Sequence, residues 1–178
     1  MIIKTTDVIC IFGKRGTGKS VLARKLAAKI PCYVVFDPLH EHASLGYTTK
    51  TINQDLLNKY KRLVFQPSNA EEEAKTFFEA CNKLYNCMII IDEADIVADT
   101  YTINDSLLKI VRYGRHQGLG LICVCRRTQE LNSKIIAQAH HIFSFRQSRP
   151  QDIDYLEKFL GSEYAEKLRN LKEFEYAV

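Results

Sequence analysis

The chain has 178 residues, 46% of them hydrophobic and 26% charged, and a formal net charge of +4; this is a globular composition, and it excludes disordered and collagen-like chains. The length points to a single domain over residues 1–178, able to bury about two-thirds of the surface its unfolded chain exposes. The opening Met-Ile-Ile-Lys-Thr-Thr-Asp lacks the apolar core of a secretory leader, and no apolar run approaches the ~18 residues that span a bilayer.

In chain order, the apolar run 7–12 reads as a strand and leads directly into Gly13-Lys14-Arg15-Gly16-Thr17-Gly18-Lys19-Ser20. This is a complete G-x-x-x-x-G-K-S phosphate loop. Its glycines let backbone N–H groups converge on an anion at the positive end of the following helix. Lys19 is expected to reach the β- and γ-phosphates, and the Ser20 hydroxyl to help hold Mg²⁺. Leu22, Leu26 and Ile30 share one helical face. A strand at 32–36 ends in Asp37-Pro38, and a polar stretch from His40 to Lys50 precedes a strand at 62–65. Ala74, Phe77, Cys81, Leu84 and Tyr85 then mark a second helix.

The strand 87–91 closes on Asp92-Glu93. In phosphate-loop enzymes the first acid at such a strand end orients the Mg²⁺ shell, and a glutamate after it polarises the attacking water. Two strands separate loop and acid in the chain, as expected of the ATPase branch that inserts an extra strand between the two motifs. Further on, Ile103, Leu107, Ile110 and Val111 mark another helix, followed by strands at 119–125 and 141–145 and helices at 131–139 and 151–160, the last closed by Gly161. The alternating terminus 173–178 reads as an edge strand. Short, near-continuous apolar strands alternating with helices predict an α/β fold, a three-layer P-loop NTPase of RecA/ASCE type with a mainly parallel central sheet.

The six cysteines (10, 32, 81, 87, 123 and 125) show no C-x-x-C pair, so they read as reduced, buried thiols in a cytoplasmic setting. His40, His42, His116, His140 and His141 show no metal-ligand spacing with them and read as surface or core histidines. Neither Asn58-Lys59-Tyr60-Lys61 nor Asn82-Lys83-Leu84-Tyr85 supplies the aspartate of a guanine-reading Asn-Lys-x-Asp, which favours ATP. Charge is uneven. Residues 100–150 carry eight Lys/Arg against two acids, a balance of +6, which leaves −2 elsewhere and suits a polyanionic partner.

With these residues in place the chain resembles the FtsK–HerA superfamily of DNA-pumping ATPases. Within it, it is most similar to the short genome-packaging ATPases of membrane-containing, tailless bacterial and archaeal viruses. Beyond the nucleotide motifs, the likeness rests on Val34-Val35-Phe36-Asp37-Pro38, Tyr113-Gly114-Arg115-His116-Gln117-Gly118-Leu119, Arg126-Arg127-Thr128-Gln129, and Phe143-Ser144-Phe145-Arg146 before the 152–161 segment. The chain departs from cellular members in its shortness, without a membrane anchor or a separate DNA-reading domain.

The resemblance implies an ATP- and Mg²⁺-dependent hydrolase working as a homo-oligomeric ring, a hexamer or pentamer, on double-stranded DNA. Capsid or viral membrane proteins are its implied further partners, in the host cytoplasm or at the virion's packaging vertex. It implies that Arg115, or Arg112 one turn earlier, acts on the neighbouring subunit's γ-phosphate, and that Gln129 senses that phosphate or the attacking water. Asp37 has either a supporting role with water or Mg²⁺ or a turn-forming one. Tyr47 and Lys50 are candidates for DNA contact against the alternative of an ordinary polar loop. A small-molecule kinase of nucleosides or nucleotides, with Arg126-Arg127 as lid arginines, and a conjugation or filamentous-phage secretion ATPase stand as competing functions.

Overall fold

The computed structural model describes residues 2–147 and 149–178. In chain order the elements are β1 (Val8–Phe12), α1 (Lys19–Ala27), β2 (Tyr33–Phe36), β3 (Tyr47–Thr49), α2 (Gln54–Lys59), β4 (Arg62–Phe65), α3 (Ala70–Cys81), β5 (Met88–Ile91), α4 (Asp105–Tyr113), β6 (Gly120–Cys125), α5 (Ser133–Ile136), β7 (His141–Phe145), α6 (Pro150–Leu160), α7 (Ser162–Arg169) and β8 (Tyr176–Ala177). The strands form one eight-stranded sheet in the order β3-β4-β2-β5-β6-β1-β7-β8. Every pairing is parallel except β7 with β8. This is the mainly parallel, helix-flanked sheet of a P-loop NTPase.

Strand alternation divides the apolar residues into two layers. Ile9, Ile11, Val35, Val64, Ile90, Ile122 and Val124 meet Leu22, Ala23, Leu26 and Ala27 of α1. Val8, Cys10, Phe12, Phe36, Leu63, Phe65, Ile89, Ile91 and Cys123 face the opposite way, onto α3, α4, α6 and α7. Both faces are covered, which is why the inner strands read as unbroken hydrophobic runs. Asn53, Asn69, Asn104 and Asn132 each cap a helix through a side-chain oxygen accepting a backbone N–H two or three residues ahead.

The inserted strand lies where the ATPase branch requires it, but it is not one of the two that intervene in the chain. β6 separates β1 from β5, while β2 and β4 lie on the far side of β5. Three expectations shift. The helix expected over 131–139 is confined to Ser133–Ile136. The edge strand expected over 173–178 pairs only at Tyr176 and Ala177. The polar stretch before Lys50 contains a short edge strand, β3, whose Tyr47 ring stacks on Tyr60 at 3.9 Å and 2°. Helices α2 and α7 carry too little apolar periodicity to have been anticipated. All six cysteines are free thiols, and Cys32 and Cys87 lie with their Sγ atoms 3.4 Å apart at the start of neighbouring strands.

A cluster of four phenylalanines anchors α3 to the β2–β4 half of the sheet. Phe77 lies 5.1 Å from Phe36, 5.5 Å from Phe65 and 5.1 Å from Phe78, and all four rings are buried. Phe77→Ala is expected to cost about 3–5 kcal/mol, read as a lower denaturant midpoint at unchanged slope. Phe159→Ala, whose ring is nearly half exposed, is expected to stay within about 0.5 kcal/mol.

Candidate functional site

Parallel register brings four strand ends to one edge, β1 with β6 and β5 with β2, the second pair ending two residues short of the first. Phe12 of β1 pairs with Cys125 of β6, Ile91 of β5 with Cys123, and Phe36 of β2 with Ile91. The residues that follow are Gly13, Arg126, Asp92 and Asp37, so four separate segments converge on one crevice at the carboxyl edge. A cavity of ≈ 680 Å³ opens there, lined by residues 15–22 together with Glu41, Asp92, Glu93 and Arg126.

The loop takes its shape from glycines at two tight points. Gly13 has φ 154°, and a Cβ there would lie 2.7 Å from Phe145 Cβ. Gly18, at φ 101°, is the left-handed residue from which α1 starts, and it leaves the helix amides uncapped by any side chain. Thr17 Oγ1 donates to Lys14 O at 2.8 Å, and Lys19 Nζ donates to the same carbonyl at 3.1 Å. Burial lowers the Lys19 pKa, and the Glu93 and Asp92 carboxylates work against that shift. Lys14, Arg15 and Gly16 form the exposed outer turn of the loop.

Asp92 is buried, and its Oδ2 lies 3.0 Å from Nε2 of the fully buried His42. His42 is fixed in turn by Asp37. One Asp37 oxygen accepts from Glu41 N at 2.9 Å; the other accepts from His42 N at 3.0 Å and Gln66 Nε2 at 2.9 Å. Asp37 therefore anchors the 37–42 turn, and its carboxylate also lies with His42 and Asp92 in a buried group whose ligand atoms fall within 4.8 Å of one another. The spacing argument passed over His42, because the turn after Asp37-Pro38, not an interval between histidines and cysteines, carries it to Asp92. Ser20 Oγ donates to Glu41 Oε2 at 3.4 Å in the same crevice. The hydroxyl of Ser20 and the carboxylates of Asp92 and Glu41 are hard oxygen donors, a set that suits Mg²⁺.

Glu93 occupies the left-handed region at φ 47°, ψ 56°, uncommon for a residue with a Cβ and typical of strained functional positions. Arg126 grips it, with Nε 3.1 Å and Nη2 2.9 Å from Glu93 Oε1. Burial raises the Glu93 pKa, the Arg126 hydrogen bond and charge hold it down, and Asp92 and Asp95 push it up. Arg126 is the basic residue that the inserted strand delivers to the crevice; in the sequence it was one of a pair with Arg127. Arg127 instead pairs with Glu130 at 2.9 Å and Asp152 at 3.3 Å.

Gln129 stands at the same edge of the sheet but outside the cavity lining. Its side chain donates to Gln151 O at 3.0 Å, and its carbonyl accepts from Thr100 Oγ1. Arg112 and Arg115 lie elsewhere altogether. Both are exposed and line a second cavity of ≈ 510 Å³ with His116, Gln138 and His140, beside Val8 and Gly120 at the starting ends of β1 and β6. Six residues of β6 at about 3.3 Å each put about 20 Å between Arg115 and its own crevice.

This fold and loop define the class of phosphate-loop ATPases. The AAA domain family matches residues 3–147, and the chain belongs to that family. Over 77 residues the chain is 35% identical to the DNA double-strand break repair helicase HerA of Pyrococcus furiosus. That stretch is 42% of this chain and spans only 14% of HerA. The genome packaging NTPase B204 of Sulfolobus turreted icosahedral virus 2, solved with ATP-gammaS, superposes with a TM-score of 0.84 at 23% identity, covering 98% of this chain and 91% of that one. The N-terminal domain of zonular occludens toxin from Neisseria meningitidis gives 0.53 at 15% identity, over 80% of this chain and 78% of that one. The HerA match and the B204 fold agree with the resemblance read from the motifs. Among the described residues no helix is long and apolar enough to cross a membrane.

Glu93 can accept a proton from water only when ionised, and burial displaces its titration upward. The acid limb of kcat/KM against pH is therefore expected above the ordinary glutamate value of about 4.3. Arg126→Ala removes the hydrogen bond and the charge that lower this pKa, so the limb should move further up. A limb that moves down, or stays in place, contradicts Glu93 as the group being titrated.

Proposed function

We propose that the chain is an ATP-hydrolysing motor that moves double-stranded DNA, working as a homo-oligomeric ring in viral genome packaging. The observation that carries this reading is a divided active site. The phosphate loop, Asp92, Glu93 and Arg126 share one crevice, while Arg115 stands about 20 Å away at the opposite end of the sheet. An arginine so placed can act on a γ-phosphate only across a subunit boundary.

In this mechanism the amides of residues 13–20 and Lys19 hold the triphosphate. Ser20 and Asp92, the latter steadied by His42, would hold Mg²⁺, which would supply charge neutralisation to the phosphates when bound. Glu93 accepts the proton of the attacking water. Arg126 restrains Glu93 until a γ-phosphate offers its guanidinium a stronger anion, and Gln129 relays the state of that phosphate toward Gln151 and α6. Arg115 from the neighbour neutralises the charge developing in the transition state. The +6 balance of residues 100–150 supports a nucleic-acid partner gripped through its phosphates rather than its bases, as a sequence-indifferent motor requires. Packaging into a capsid, at a virion vertex in the host cytoplasm, follows the resemblance to viral ATPases.

Arg115→Ala is expected to bind ATP normally and to lose about 10³-fold or more in DNA-stimulated turnover. Lys19→Ala should lose nucleotide binding. Mixed rings of the two variants should regain turnover that neither has alone, because some interfaces then unite an intact loop with an intact arginine. Phosphate release by the mixture no greater than that of either variant would remove the trans arginine. Transfer of phosphate to a nucleoside, unaffected by DNA, would replace the motor with a kinase.

A further inference from the structure

The phosphate loop explains only one end of the cavity. At ≈ 680 Å³ the space is far larger than a triphosphate needs and falls in the range that encloses a whole nucleotide-sized ligand. Away from Lys19 and Asp92 its lining turns apolar, with Val21, Leu39, Phe145, Phe174 and Tyr176. Three of these five are aromatic, and two come from the last five residues of the chain.

The register of β8 sets this arrangement. Tyr176 stands directly opposite Phe145 of β7. Its ring packs at 5.3 Å and 59° on Phe145, and at 5.5 Å and 67° on Phe143. Phe145 in turn lies beneath the loop, 3.5 Å from the point where a Cβ on Gly18 would stand. Phe174 is the unusual member. A tight turn, with Lys172 N donating to Glu175 Oε2 at 2.9 Å and Glu175 N to Lys172 O at 3.3 Å, ends the strand before Phe174 can pair. The turn leaves Phe174 at φ 64°, a left-handed conformation that a bulky residue rarely adopts. Its ring is 64% exposed, yet its edge comes within 3.9 Å of the same Gly18 Cβ position. A large apolar ring is thus held in water, in a strained backbone, at the mouth of the crevice.

We infer that Phe174, backed by Tyr176 and Phe145, is the stacking platform for the base of the bound nucleoside triphosphate. The inference rests on reading the crevice as a nucleotide site, and it names the part of that site the phosphate loop leaves open. A triphosphate seated on the amides at the start of α1 directs its nucleoside past Val21 into the apolar end of the cavity. There the exposed face of Phe174 gains a planar π-partner and loses its contact with water. Val21 and Leu39, each 46% exposed, are the remaining large apolar groups available to the base.

The test compares ATP with inorganic tripolyphosphate, each with Mg²⁺, by titration calorimetry on the full chain. The wild type should bind ATP more tightly than tripolyphosphate. Phe174→Ala should weaken ATP about tenfold, leave tripolyphosphate unchanged, and raise KM with little change in kcat. Because Phe174 is exposed, the variant should keep the wild-type melting temperature. The chain has no tryptophan, so Phe174→Trp provides a single reporter at the platform; it should retain ATP affinity and change fluorescence with ATP but not with tripolyphosphate. ATP affinity within twofold of wild type in Phe174→Ala, or equal loss for both ligands, overturns the platform. Wild type that binds both ligands equally also overturns the platform but leaves the phosphate site standing. Wild type that binds neither overturns the nucleotide reading and the platform with it.

Discussion

Everything chemical in this protein depends on the parallel alignment of β1, β6, β5 and β2. Backbone hydrogen bonds between these strands fix Phe12 beside Cys125, Cys123 beside Ile91 and Ile91 beside Phe36. A parallel sheet has all its carboxyl ends on one edge, so the phosphate loop, Arg126, Asp92 and the Asp37 turn must meet there. A slip of one residue would invert the two apolar layers and break both helix contacts, which makes the register strongly specified.

Within that crevice the polar groups form two chains that run to the adjacent acids. Asp37 holds His42, and His42 holds Asp92, through buried groups on one side. Arg126 holds Glu93 on the other, at a more exposed position. The two carboxylates are neighbours in sequence but have different surroundings and different tasks. The buried one is fixed by the His42 imidazole and suits a metal shell. The other, in a left-handed backbone and gripped by an arginine, has its basicity set by an interaction that a bound phosphate would compete for. Among the described non-glycine residues, His40, Asn86, Glu93 and Phe174 have left-handed backbones, and Glu93 and Phe174 of these line the crevice.

The two cavities lie at opposite edges of the sheet. Arg112 and Arg115 sit on the amino edge of the sheet, beside a second cavity and away from the phosphate loop. In the proposed ring, Arg115 on one subunit's amino edge serves the phosphate loop at the carboxyl edge of the next. Gln129, bonded to Gln151, lies between the crevice and α6, where a change at the phosphate would be felt outside the site.

Much of this was legible in the residues themselves. Local chemistry and hydrophobic period sufficed for the six long strands, the phosphate loop, Asp92-Glu93 and the main amphipathic helices, because each signal lies within a dozen contiguous residues. They could not show which strand is inserted between β1 and β5, since strand order is decided by how helices cover the two faces. They could not place His42 against Asp92, fifty residues away, or choose Arg126 over Arg127. The short β3 escaped, and α5 and β8 were expected but prove shorter, because their extent is set by neighbours and turns rather than by propensity. The sequence by itself determined the phosphate-loop motif at Gly13–Ser20, for the glycines, lysine and serine that make it are contiguous residues. Only the tertiary structure decided which distant side chains surround it, because parallel register, not sequence distance, sets who meets at the carboxyl edge.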